Sequence, residues 1–154
     1  MTRVQVLAAT RDDKVTLENL VELYVYDFTE FTGADVNDDG RFGYAFLEQY
    51  WREPDRHPFL IRADGRLAGC ALVRSGRPND MAEFFVMRKY RGHGVAQEAA
   101  RALFAMFPGE WQVRELAANA RATAFWRRAI PYTFTEEENE QGPVQHFEVP
   151  RPSR

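Results

Sequence analysis

The sequence holds one cysteine, Cys70, so no disulfide can close within the chain, and this usage fits a reducing, cytoplasmic setting. Cys70 sits in the apolar run LAGCALV and reads as a buried thiol, because no base accompanies it. Long hydrophobic runs are also missing. None approaches the ~18 residues of a membrane span, and the opening MTRVQVLAATRDD has no signal-peptide core. Positive charge is not in excess: 20 Lys and Arg stand against 23 Asp and Glu, a net charge of −3, which argues against nucleic acid and anionic membranes as partners. There is no GxxxxGK[ST] phosphate loop. The dinucleotide fingerprint fails too, because Gly92-x-Gly94 is followed by Gln97. No internal repeat or linker divides the chain. What remains is ordinary: 154 residues, 45% hydrophobic and 28% charged, enough for one domain that buries roughly 70% of its unfolded surface. Residues 150–154 read as a loose tail.

The most informative stretch is Met81–Gly109. MAEFFVM reads as a buried strand. Arg88-Lys89-Tyr90-Arg91-Gly92-His93-Gly94 is a basic, glycine-punctuated turn. Val95, Ala99, Ala102, Leu103 and Met106 then recur at helical spacing until Pro108-Gly109 stops the helix. A helix that starts from such a turn leaves its first amides unpaired at the positive end of its dipole. Glycine lets a ligand approach that backbone closely, and Arg88, Lys89 and Arg91 add cations at the same mouth. The product is an anion socket suited to a phosphate or pyrophosphate. Spacing alone does not separate this socket from a plain glycine loop.

Taken in order, residues 3–9 predict a strand. Leu17, Leu20, Val21, Tyr24, Phe28 and Phe31 form the core stripe of an amphipathic helix that ends at Gly33. Tyr44–Arg52 predicts a second helix. His57–Ala63 and Arg66–Ser75 predict a hairpin about Asp64-Gly65. After the central helix, Glu110–Ala118 predicts a strand, Asn119–Arg128 a short helix, and Tyr132–Phe134 with Val144–Val149 a closing antiparallel pair around the solvated acidic loop Glu136–Gly142. His57 reads as a solvated strand-start residue, with a catalytic base as the alternative. The fold class is α/β (α+β): a mixed, largely antiparallel sheet of about six to seven strands flanked by helices, with 81–107 as its parallel crossover.

Asp35-x-Asn37-x-Asp39-Gly40 imitates the start of an EF-hand. The bidentate acid due at the twelfth position is replaced by Phe46, so an Asx-rich turn accounts for the loop. A calcium-binding helix-loop-helix module stays as the lesser alternative; otherwise no metal is expected.

Arg91-x-x-Gly94-x-Ala96 between strand and helix resembles the Q/R-x-x-G-x-G/A motif of the GCN5-related N-acetyltransferase (GNAT) family. Asn119, Ala122 and Phe125-Trp126 are similar to the family's N-x-x-A-x-x-[FL]-Y segment. The likeness covers residues 57–149 well and the N-terminal part loosely. It implies an acyl-CoA N-acyltransferase-like fold with two splayed central strands, and acetyl-CoA as co-substrate. Phe84, Phe85 and Val86 would pair with the pantetheine arm in the manner of an added strand. The backbone of Arg91, Gly92, His93, Gly94, Val95 and Ala96 would hold the pyrophosphate, and Asn119 and Trp126 would complete the cofactor site. The acceptor would be a small-molecule or peptide amine. Because an alkyl amine near pKa ~10.4 is neutral in only about one molecule in 2,500 at pH 7, the reaction needs a base or desolvation. Glu83, an acid in an apolar strand, is the candidate base; pairing with an arginine or facing water are its ordinary alternatives. Val86 would offer its amide to the oxyanion. Trp126 stands where the family often has a tyrosine that protonates the leaving thiolate. Water or Tyr132 would then serve as acid, or none is needed, since a thiol of pKa ~8.5 leaves readily. This departure also admits a catalytically silent CoA-binding protein. Monomer and homodimer are both compatible with the apolar faces.

Overall fold

Along Arg66–Arg74 the side chains alternate between two cores. Ala71 and Val73 enter one, while Cys70 and Leu72 enter the other, as the two-residue period of a strand buried on both faces requires. The computed structural model describes residues 1–153. Its strands are β1 (Val4–Ala8), β2 (Arg56–Ala63), β3 (Arg66–Arg74), β4 (Asn79–Val86), β5 (Gly109–Arg114), β6 (Phe134–Glu138) and β7 (Pro143–Val149). They form one seven-stranded sheet in the order β1-β2-β3-β4-β5-β7-β6. Every neighbouring pair is antiparallel except β4 and β5, so the fold is the mixed, mainly antiparallel sheet expected above.

Three α-helices cover the sheet: α1 (Lys14–Thr32), α2 (Val95–Met106) and α3 (Ala120–Ala129). On one face, Leu17, Leu20 and Val21 of α1 pack on Leu60, Cys70, Leu72 and Phe85. On the other, Ala100, Leu103 and Phe104 of α2 and Trp126 of α3 meet Ala71, Val73, Met81 and Trp111. The Asp64-Gly65 turn has positive φ at both residues, 49° and 79°, the geometry a two-residue hairpin needs to match strand twist. Gly69 lets β3 approach β4 closely: a Cβ there would lie 1.9 Å from the Phe85 carbonyl oxygen.

Four expectations change. The second helix over Tyr44–Arg52 is only a five-residue 3-10 segment, Leu47–Trp51. Its apolar residues serve different surroundings, with Leu47 and Tyr50 buried in the α1-side core and Phe46 54% exposed. The strand expected over Glu110–Ala118 ends at Arg114. Beyond it, the amides of Glu115 and Ala117 bond instead to the Pro143 and Gln141 carbonyls. The last hairpin shifts: Phe134–Glu138 is strand, so half of the presumed acidic loop is an edge strand, where charge guards an unpaired edge. Glu136 is paired with Arg127 of α3, and Glu137 with His146. His57 is half-buried; its Nε2 lies 2.9 Å from Ser75 Oγ, and its ring packs on Phe107. Burial pushes the Cys70 thiol up to about 12, which leaves it an inert core residue. Among the described residues no helix is long and apolar enough to cross a membrane.

Candidate active site

β4 and β5 pair at only two positions, Asn79↔Trp111 and Asp80↔Gln112, and then diverge. Side chains hold the joined end. Asn79 Nδ2 donates to the Phe107 carbonyl at 3.1 Å and its Oδ1 accepts from the Gly76 amide at 2.9 Å. Arg114 on β5 donates to Asp80 on β4 at 2.8 Å. The open end is a cleft of about 1120 Å³ walled by α1, β4, the turn into α2, the end of β5 and α3. Met87 N–H donates to the Ala68 carbonyl at 2.8 Å. Since successive strand amides alternate in direction, the Val86 amide points away from β3, toward the gap.

The turn into α2 borders the same cleft. Arg91, Gly92, Gly94, Ala96 and Gln97 line it. Gly94 is the N-cap, with φ of 80° and no side chain to cap the helix. Glu98 is the first residue of the turn to donate back, to the Gly94 carbonyl at 3.1 Å. The amides of Val95, Ala96 and Gln97 therefore precede the helical ladder and carry the dipole's positive end. His93 is exposed and Val95 is buried. The cationic mouth expected from Arg88, Lys89 and Arg91 is reduced rather than lost: Asp27 of α1 takes both guanidinium groups, but one carboxylate against two leaves net positive charge, and Lys89 is exposed with no ion pair among the described residues. Arg88 donates from Nε and Nη2 to Asp27 Oδ1 at 3.0 and 2.8 Å. Arg91 donates from Nη2 to Asp27 Oδ2 and from Nε to the Val86 carbonyl, each at 2.8 Å. Burial would raise the Asp27 carboxyl, but the hydrogen bonds from Arg91 and Arg88 outweigh it and hold it below the ordinary carboxylate range. The turn offers an anion its free amides together with this remaining positive charge.

Glu83 opens half-buried into the cleft. Tyr44 Oη donates to its Oε1 at 3.4 Å, and the Tyr24 hydroxyl lies near it. Burial raises the Glu83 carboxyl, more than the neighbouring Tyr24 and Tyr44 hydroxyls lower it. Tyr24 and Tyr44 are raised in turn, first by their own burial and then by the carboxylate, so both remain protonated donors. Tyr44 is delivered by a loop clamped to α1: the Phe42 and Gly43 amides donate to Glu22 Oε1 and Oε2 at 2.8 and 2.9 Å.

The other sequence-derived residues divide. Phe84 lines the cleft with its ring against Trp126 and Phe125, and Phe85 packs toward α1. Asn119 caps α3, its Oδ1 accepting from the Ala122 amide at 3.1 Å, which leaves its NH2 to offer the cleft. Trp126 borders the cleft but is 6% exposed, wedged among Phe84, Phe104 and Phe125. Tyr132 is not brought in. It stacks on Phe147 behind the sheet and is not a cleft residue. The residues of the acidic turn that imitate a calcium loop lie outside the cleft as well. Asn37 Oδ1 there accepts from the amides of Asp39 and Arg41, an Asx turn.

Sequence reasoning missed Asp27, Glu22 and Glu115, and placed Tyr24 in the core stripe. Glu115 directly follows β5, in the cleft wall at 7% exposure. Its Oε1 accepts from Gln145 Nε2 at 2.8 Å, while Oε2 has no partner among the described residues. Burial pushes it up to about 7 against the lowering hydrogen bonds from Gln145 and Thr123.

Solved structures of other proteins have a similar overall fold. The ribosomal-protein-S18-alanine N-acetyltransferase of Escherichia coli has a TM-score of 0.67 at 11% identity over 100% of this chain and 97% of that one. The PaiA N-acetyltransferase of Thermoplasma acidophilum, in complex with coenzyme A, has 0.64 at 12% over 96% and 99%. An aminoglycoside acetyltransferase from an uncultured soil metagenomic sample has 0.61 at 14% over 84% and 88%. No curated protein matches the chain in sequence. The sequence model of the acetyltransferase (GNAT) family matches residues 17–130. With that match across most of its length, the chain belongs to the acetyltransferase (GNAT) family.

Proposed function

We propose that the protein transfers the acetyl group of acetyl-CoA to a primary amine by direct attack of the amine on the thioester. The observation that carries this reading is the wedge: two ladder pairs between β4 and β5, then a gap that opens beside the unpaired amides of α2. Backbone groups of Phe84, Phe85 and Val86 on the β4 side suit an extended pantetheine arm that joins the sheet as a partial strand. The amides from Gly92 to Ala96, with the glycines' positive φ, suit the diphosphate, whereas the Arg91 amide is already bonded to the Arg88 carbonyl at 3.1 Å. Arg91 acts at one remove: pinned by Asp27 and the Val86 carbonyl, it fixes the turn's shape. Asn119 contributes its NH2 to the arm.

Glu83 is the base. Burial raises its proton affinity toward that of a working base at neutral pH. The ionised carboxylate takes one proton from the incoming ammonium. The freed lone pair attacks the thioester carbon, and the carbonyl oxygen becomes an oxyanion that the Val86 amide can meet, a contribution of roughly 3 kcal/mol. The intermediate collapses as the C–S bond breaks, the sulfur leaves as thiolate, and the nitrogen gives its second proton to solvent, since Glu83 already holds the first. Trp126 carries no ionisable hydroxyl and Tyr132 is remote, so solvent in the open cleft protonates the thiolate.

Incubating the purified chain with acetyl-CoA and a metabolite extract tests the reading: an amine should gain an acetyl group while free CoA thiol accumulates. Binding of acetyl-CoA with no acetylated amine and no thiol would favour a silent CoA-binding protein.

A further inference from the structure

The apolar stripe of α1 has two parts. Leu17, Leu20 and Val21 are buried against the sheet, whereas Phe28 and Phe31 belong to none of the three core clusters and line the cleft half-exposed. Large aromatic faces turned toward water cost roughly 25 cal/mol per Å² relative to covered ones, so a wall of this kind suits a ligand that covers it. The rings are continuous with the acid. Phe85, two residues from Glu83 on β4, lies 5.7 Å from Tyr24 between centroids, Tyr24 lies 5.2 Å from Phe28, and Phe28 lies 5.7 Å from Phe31. From Tyr24 to Phe31 the helix rises about 10 Å.

The charges along this wall are already taken. Asp27 is held by Arg88 and Arg91, and Glu22 by two loop amides. Asp80 pairs with Arg114. Glu115 lies off this wall, across the gap beyond β5, where its Oε1 holds Gln145 and its Oε2 has no partner among the described residues. Glu30 is exposed at the rim. Along the aromatic wall itself, among the described residues, Glu83 is the carboxyl at the inner end, which gives a place there for one cationic centre.

We infer that the acceptor is a primary monoamine on an arylalkyl body, whose nitrogen meets Glu83 and whose ring lies along Tyr24, Phe28 and Phe31. This rests on the acetyl-transfer reading and narrows it: polyamines and aminoglycosides are disfavoured, because each further ammonium would be stranded against aromatic carbon.

The test is a steady-state panel with acetyl-CoA, reading CoA thiol release for 2-phenylethylamine, tryptamine, ethanolamine, spermidine and kanamycin. The arylalkylamines should have kcat/KM at least about 100-fold above ethanolamine, as covering one ring with apolar wall implies. Phe28→Ala and Phe31→Ala should each raise the KM for 2-phenylethylamine about tenfold and leave the KM for acetyl-CoA within twofold. Preference for spermidine or kanamycin overturns the inference. So does a rise confined to the acetyl-CoA KM, which would give the aromatic wall to the cofactor. If no amine releases thiol, the acetyl-transfer reading fails by itself. Calorimetric titration of 2-phenylethylamine into the CoA-bound wild type then decides the aromatic wall separately: binding lost in Phe28→Ala supports it, and no binding to the wild type overturns it.

Discussion

Replacing Gly94 by aspartate tests the anion socket, provided that Gly94→Ala is measured beside it. Both substitutions put a Cβ on a residue with φ of 80° and with no atom within 4 Å of the new carbon. Neither clashes, and both incur the left-handed penalty of about 1–2 kcal/mol. For a chain of this size that lowers Tm by roughly 2–8 °C. Aspartate can recover part of the loss by capping α2, so Gly94→Asp should be no less stable than Gly94→Ala. Binding should separate them. A new carboxylate about 6 Å from one diphosphate charge, at an effective dielectric of about 20, costs about 3 kcal/mol, or more than 100-fold in Kd. Acetyl-CoA at about 100 times the wild-type Kd stabilises the wild type by about 2.7 kcal/mol, a Tm gain of roughly 5–11 °C. The same concentration only matches the Kd of Gly94→Asp, where the gain falls to about 0.4 kcal/mol, or roughly 1 °C. A thermal-shift series on the three proteins reads all of this. A wild-type gain retained in Gly94→Asp would refute the placement of the diphosphate at this turn.

Four further outcomes are expected. Glu83→Gln should lower kcat/KM by about 100-fold or more and remove the acidic limb of the pH–rate profile, which the raised Glu83 pKa sets above the ordinary carboxylate range; an unchanged limb in the variant would assign it to another group. Glu115 keeps its proton to about pH 7 when folded and gives it up near 4.5 when unfolded, so its contribution to stability is full below 4.5 and declines as pH rises to 7, by at most about 3 kcal/mol; Glu115→Gln should flatten that decline in Tm-versus-pH scans. Gly69→Ala must move backbone, since the methyl would fall 1.9 Å from the Phe85 carbonyl oxygen, and denaturant titration should show a loss of about 1–3 kcal/mol. Glu22→Ala frees the loop that carries Tyr44 by removing two charge-assisted hydrogen bonds; kcat should drop and the pH–rate limb should move, with Glu22→Gln restoring part of the loss.

The strand–turn–helix unit was legible because its signals are local: an apolar run, two glycines, then a 3.6-residue period that ends where α2 ends, at Met106. The Asp64-Gly65 hairpin was legible for the same reason. What escaped was long-range. Asp27 is 61 and 64 residues from the arginines it holds, and nothing in a basic turn announces an acid on a distant helix. Periodicity on α1 correctly placed Tyr24, Phe28 and Phe31 on the inward face. It does not distinguish an inward face that meets core from one that meets a cleft, so the same stripe changes its role at Tyr24 without any change in pattern. Edge strand β6 was misread because Glu136–Glu138 look like solvated loop, whereas an edge strand tolerates that composition.

The ion triad of Asp27, Arg88 and Arg91 also bears on how sequences of this kind can diverge. Its members are not equally free to drift. Loss of the acid releases two guanidinium groups at the turn into α2; loss of either arginine leaves the carboxylate with one guanidinium partner instead of two. Relatives with a neutral residue at position 27 are therefore expected to differ at 88 or 91 as well, or to have turned one arginine into a direct phosphate ligand, with tighter and more salt-sensitive CoA binding as the mark of that second course.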